Sequence, residues 1–215
     1  MSASSITTDL CHALQQGKLC YVSGIQPNKQ QSICAYTRDE MTVRGYRSIV
    51  LQFSRLSYWQ QTEMRWDEYL MKELWYSFYP TNQARLSQWM ATTNTLSPKE
   101  RLIQFSNDLF LSELCEAPMT ILINTIDTLV DVPFAISDIF TWIEHCYELR
   151  DTYLSYHHLS FAVFDQADLS KSDSQKVLHN HRKSGYLKSF YAAVLPSPNR
   201  FRQSCPLRFN MVPIS

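Results

Sequence analysis

Glycine is scarce, with four residues in a chain of 215 (Gly17, Gly24, Gly45 and Gly185), so a glycine-rich phosphate cradle has little material to draw on. No CxxC pair occurs among the six scattered cysteines, Cys11, Cys20, Cys34, Cys115, Cys146 and Cys205. With a polar opening, MSASSITTDL, in place of an apolar leader, they read as reduced thiols of a cytoplasmic protein. No apolar run approaches the roughly 20 residues that cross a bilayer, so no membrane span is expected. Net charge is absent as well, because 20 Lys and Arg balance 20 Asp and Glu. That balance excludes a uniformly basic nucleic-acid binder and an acidic disordered chain. What is abundant is core material: 45% hydrophobic and 13% aromatic residues, enough for one globular domain.

The charge balance hides an asymmetry. Residues 166–215 carry eight basic and two acidic side chains, a net of +6, which leaves −6 on residues 1–165. Between 102 and 165 ten acids face a single base, Arg150. Either the two regions pair within the molecule, or the basic stretch 171–208 meets an anionic partner such as nucleic acid, with steep salt dependence.

Hydrophobic periodicity alternates between short apolar runs and helical stripes. Strands are expected at LCYVS (19–23), SIVLQFS (48–54), MTILIN (119–124), LSFAVF (159–164) and SFYAAVL (189–195). Helices are expected over 9–16 (capped by Thr7 or Thr8), 31–44, 66–79, 83–92, from 98 onward, and 136–150. LSPKE is the clearest start: Ser97 caps, Pro98 takes the first helical position and Glu100 completes a capping box. From that helix Leu102, Phe105, Leu109 and Leu114 should face inward. Nearly all-apolar strands interleaved with helical crossovers point to a parallel sheet covered on both faces.

In such a sheet the first strand-to-helix turn is where a phosphate loop would lie, with glycines, a lysine for phosphate charge and a Ser or Thr for Mg²⁺. Here Gly24 is in place, but the second glycine position holds Lys29, the lysine position Gln30 and the hydroxyl position Gln31, with Ser32 following. Sliding the frame by one puts Lys29 at the lysine and Asn28 at the glycine, so the parts coincide in neither register. A nucleotide hydrolase also needs an acid for Mg²⁺ and another for water at the end of its metal strand. MTILIN ends instead in Asn124 and Thr125, with Asp127 two residues beyond.

These segments resemble the AAA-like P-loop domain of many cyanobacterial multidomain signalling proteins. The resemblance runs from about residue 9 to 165. LCYVSGIQPNKQQS is similar to that family's first strand and phosphate loop, LSPKERLIQFSNDLFL to the helix before the metal strand, and MTILINTIDTLV to the metal strand. SDIFTWIEHCYELRD followed by LSFAVF is similar to the next helix and strand. The resemblance implies a three-layer α/β P-loop NTPase-like fold with a mostly parallel five-stranded sheet, in the order 5-1-4-3-2. It also sets the family's lysine on Gln30, its metal Asp on Asn124 and its catalytic Glu on Thr125. A lost lysine–phosphate contact alone removes about 1.5–3 kcal/mol. The expectation is therefore a degenerate AAA-like domain over 1–195 with a basic tail over 196–215. It would hydrolyse no ATP, need no cofactor or metal, and serve as a regulatory or scaffold subunit for a protein partner. The alternatives are weak ATP and Mg²⁺ binding through Lys29 and Asp127, or a nucleic-acid adaptor working through 171–208.

Other candidates are weaker. Cys11 with His12, and Cys146 with His145, are neighbours that diverge on a helix, and His179 with His181 lack a third ligand for Zn²⁺. The aromatic stretch 58–79 offers Trp59, Trp75 and Tyr79 as a partner surface, unless the helix over 83–92 covers them.

Overall fold

The computed structural model describes residues 3–23, 26–53, 65–79, 83–110, 117–129, 134–165 and 190–194. Five strands, β1 (Leu19–Ser23), β2 (Arg47–Gln52), β3 (Met119–Asn124), β4 (Leu159–Asp165) and β5 (Phe190–Val194), form one sheet in the order β2-β3-β4-β1-β5. Every pairing is parallel. Fold class and strand order are those expected from the sequence. β3 is buried along its whole length, as a central parallel strand covered on both faces must be.

Helices α1 (Ala3–Gln15) and α2 (Pro27–Val43) cover one face, where Ile6, Leu10, Leu14, Ile33 and Met41 pack on Val22, Leu122 and Phe164. Helices α3 (Trp66–Phe78), α4 (Gln83–Thr92), α5 (Pro98–Phe105) and α6 (Ala135–Glu148) build the larger core on the other. Side chains alternate between the two faces along each strand: Leu19 and Tyr21 point to the larger core, Cys20 and Val22 to the smaller.

Local signals explain most boundaries. Gly17 and Gly45 stop α1 and α2 with φ of 68° and 85°, the left-handed conformation that glycine adopts without a Cβ penalty. The capping box at α5 forms as expected: the Ser97 hydroxyl accepts from the Glu100 backbone N–H and the Glu100 carboxylate accepts from the Ser97 N–H. Leu102 and Phe105 are buried, whereas the Leu109 and Leu114 side chains lie outside the described residues. Two starts differ from expectation. α1 begins at Ala3, so Thr7 and Thr8 lie inside the helix and Ile6 opens its buried stripe. α2 begins at Pro27 instead of residue 31, because proline's fixed φ suits the first helical position after an extended Gln26.

After α5 the helix widens into a π-helical turn, Ser106–Phe110. Its hub is Ser106: the Oγ donates to the Leu102 carbonyl and accepts from the Trp142 indole N–H at 2.6 Å, while the Ser106 carbonyl accepts from the Tyr156 hydroxyl at 2.9 Å. Two elements distant in sequence, α6 through Trp142 and the segment of Tyr156, are thereby pinned to one turn.

Cys11, Cys20, Cys34 and Cys146 are free and buried. Burial pushes the Cys11 thiol up from 9.0 to about 11 and the other three to about 12. The folded state thus holds these thiols neutral where the unfolded chain ionises them. Their contribution to stability is complete below pH 9 and is lost as pH climbs through the folded values. Denaturant unfolding should show a lower midpoint at pH 10 than at pH 8, and a thiol reagent at pH 8 should leave these four cysteines unmodified until the protein unfolds.

Candidate functional site

β1 and β3 leave the C-terminal edge of the sheet in opposite directions, β1 into α2 on one face and β3 through the short turn Ile126–Leu129 toward α6 on the other. β4 lies between them. Such a divergence at the carboxyl ends of parallel strands creates the crevice where ligands of α/β proteins bind.

Across this crevice, Gln30 from the first turn of α2 reaches Asn124 at the end of β3. Its Nε2 donates to the Asn124 Oδ1 at 2.9 Å, joining residues 94 apart in sequence. Gln30 is 1% exposed and Asn124 3%. The other amide atom of Gln30, Oε1, is buried without a donor among the described residues, an arrangement that costs about 1–3 kcal/mol relative to a satisfied acceptor. Next to Asn124, the buried Thr125 is held at φ 57°, and its hydroxyl bonds to the Asn124 carbonyl at 2.7 Å. A β-branched residue in the left-handed region stores about 1–3 kcal/mol. Phe134, which precedes α6, also has a positive φ, 63°, and is largely exposed.

The remaining residues of the expected site do not converge. Lys29, Gln31 and Ser32 are exposed on α2, and the Ser32 hydroxyl donates back to the Asn28 carbonyl at 3.0 Å. Gly24 and the Asp127 side chain lie outside the described residues. The groups brought together, Gln30, Asn124 and Thr125, are all uncharged. That donor set does not fit Mg²⁺ with a triphosphate, which needs at least one carboxylate for the metal and a cation on the phosphates. Among the described residues no group of three His, Cys, Asp or Glu stands close enough to hold a metal ion. His12 faces Gln16, and His145, its pKa lowered by burial, sits 3.4 Å from the Asn107 Oδ1.

The aromatic surface expected at 58–79 is corrected in part. Trp75 is 1% exposed and belongs to the core, packed against Tyr79 at 4.8 Å with the Arg85 guanidinium 5.6 Å from its ring. Leu86 and Met90 of α4 are buried in the same core, so the helix after the aromatic stretch covers it. Tyr79 is half-buried against that core, and Trp59 lies outside the described residues. Sequence reasoning placed Asn124 at the end of its strand but set Gln30 in the turn before a helix starting at 31, whereas it lies within α2, and did not foresee that the two bond to each other. Two amides at the facing positions of α2 and β3 were the available signal. The left-handed Thr125 has none, since threonine ordinarily avoids that region.

No protein-family model matches the chain. An uncharacterised WD repeat-containing protein of Synechocystis is 24% identical over 159 residues, which is 74% of this chain but 13% of that protein. The chain thus spans a small part of the curated relative it matches. Among solved structures, ORC2 of Aeropyrum pernix, determined in ADPNP–ADP complexes, aligns over 90% of this chain and 46% of its own, with a TM-score of 0.53 and 9% identity. A DNA replication initiation factor aligns over 90% of this chain and 44% of its own, with a TM-score of 0.45 and 11% identity. The α/β fold with its parallel sheet is shared with that ORC2 structure. Among the described residues no helix is long and apolar enough to cross a membrane.

Proposed function

We propose that this chain is a P-loop-fold domain that has exchanged ATP hydrolysis for a binding role, acting as a regulatory or scaffold subunit for a protein partner. The observation that carries this reading is the buried Gln30–Asn124 bond. It joins by neutral amides the two places where an ATPase of this fold would put a lysine and a metal-binding acid. Electrostatic stabilisation makes up most of phosphoryl-transfer catalysis, and amides supply little of it. Further support comes from the Synechocystis relative, in which a similar segment belongs to a WD repeat-containing protein.

Calorimetry of the full chain with Mg·ATP tests the loss of nucleotide chemistry. The expected result is no saturable heat at micromolar nucleotide and no phosphate release. Micromolar binding that Lys29→Ala abolishes would overturn the proposal in favour of a weak ATPase. Salt-sensitive DNA or RNA binding, lost on truncating 171–215, would overturn it in favour of a nucleic-acid adaptor.

A further inference from the structure

We infer that the Gln30–Asn124 bond is a reversible latch, and that opening it is the conformational event by which the crevice is regulated. The inference rests on the preceding reading only in taking the same crevice as the functional site. Two unfavourable features meet at this one bond. Gln30 Oε1 is buried with no donor among the described residues, and Thr125 is held at φ 57° directly after Asn124. The packing of α2 on the sheet comes from Ile33, Cys34 and Met41, further along the helix than Gln30. Parting the two amides would let water satisfy Gln30 Oε1 and would free Thr125 to return to an ordinary backbone conformation. The Gln30–Asn124 hydrogen bond of the closed state is thus opposed by local strain, which draws the two positions closer in free energy, as a switch requires.

The first turn of α2 and the end of β3 should therefore open together, independently of the rest of the sheet. Native-state hydrogen exchange on the full chain reads this directly. Asn124→Ala, on β3, should speed exchange of the α2 amides 30–34 by about tenfold while leaving amides 37–43 of the same helix unchanged. Thr125→Gly accepts the positive φ without strain and leaves both amides in place, so it should slow exchange of 30–34 several-fold. It also keeps the test alive if Asn124→Ala fails to fold. The latch is refuted if Asn124→Ala changes exchange only within 119–129, if it speeds all of α2 equally, or if Thr125→Gly leaves 30–34 unchanged. These outcomes are separate from the nucleotide titration: a chain that bound Mg·ATP could still show coupled opening, and one that ignored ATP could lack it.

Discussion

Replacing Trp75 by alanine is expected to destabilise the protein by about 3–5 kcal/mol, the range for deleting a large buried aromatic side chain. Trp75 is 1% exposed in the larger core, and its neighbours come from separate segments of the chain: Tyr79 at the end of α3, and Arg85 on α4. Because α3 and α4 are joined through this packing, they cannot close the gap without moving apart from the sheet, so little of the cost is recovered by relaxation. Urea unfolding followed by fluorescence or circular dichroism gives the number. A tryptophan serving as a partner contact would instead leave the folded state within about 0.5 kcal/mol of the original, as surface substitutions usually do. Stability unchanged by Trp75→Ala would therefore restore the surface reading.

Asp67→Ala should cost a similar amount, about 3–5 kcal/mol, for an electrostatic reason. Arg101 on α5 is fully buried and donates from Nη1 to the Asp67 Oδ2 at 2.7 Å, while the Arg65 Nε donates to the Asp67 Oδ1 at 3.0 Å. Glu68, at 3.4 Å from Arg101, is partly exposed and is the weaker partner. Removing Asp67 strands a guanidinium without its closest counter-charge in a site already short of acceptors, since Arg101 Nε has none among the described residues. The companion double variant, Asp67→Leu with Arg101→Met, removes both charges together and should recover most of the loss, because well-packed apolar replacements of buried ion pairs are often neutral. If the double variant is as unstable as Asp67→Ala, packing and not stranded charge is the cause.

The two substitutions bear on the same functional question. α3, α4 and α5 form the layer that supports β2 and β3 from one side, and β3 carries Asn124 to the crevice. Tyr69 on α3 donates its hydroxyl proton to the Gln52 carbonyl at the end of β2, next to Asn124 in the strand register. The helical layer thus anchors the end of β2, the strand beside the one that carries Asn124.

The order of the sheet came with the family resemblance, while from the sequence alone one could read the five strands, the capping box at Ser97 and the glycine stops at 17 and 45. Each of these follows from local chemistry: apolar runs too short for helices, a side chain that completes its own helix start, and a residue without a Cβ. The identity of the residues at the crevice was equally legible, because Gln30, Asn124 and Thr125 occupy positions counted along the chain. What only the tertiary structure decided was how those residues are used. Whether Trp75 faces a partner or the core depends on the angle at which α4 crosses α3, and a helical stripe broad enough for both readings cannot tell them apart. The Gln30–Asn124 bond, the orphaned oxygen beside it and the left-handed Thr125 arise because two segments 94 residues apart are brought to one edge of the sheet. Hydrogen-bond partners and backbone strain belong to that meeting, and periodicity within either segment carries no record of it.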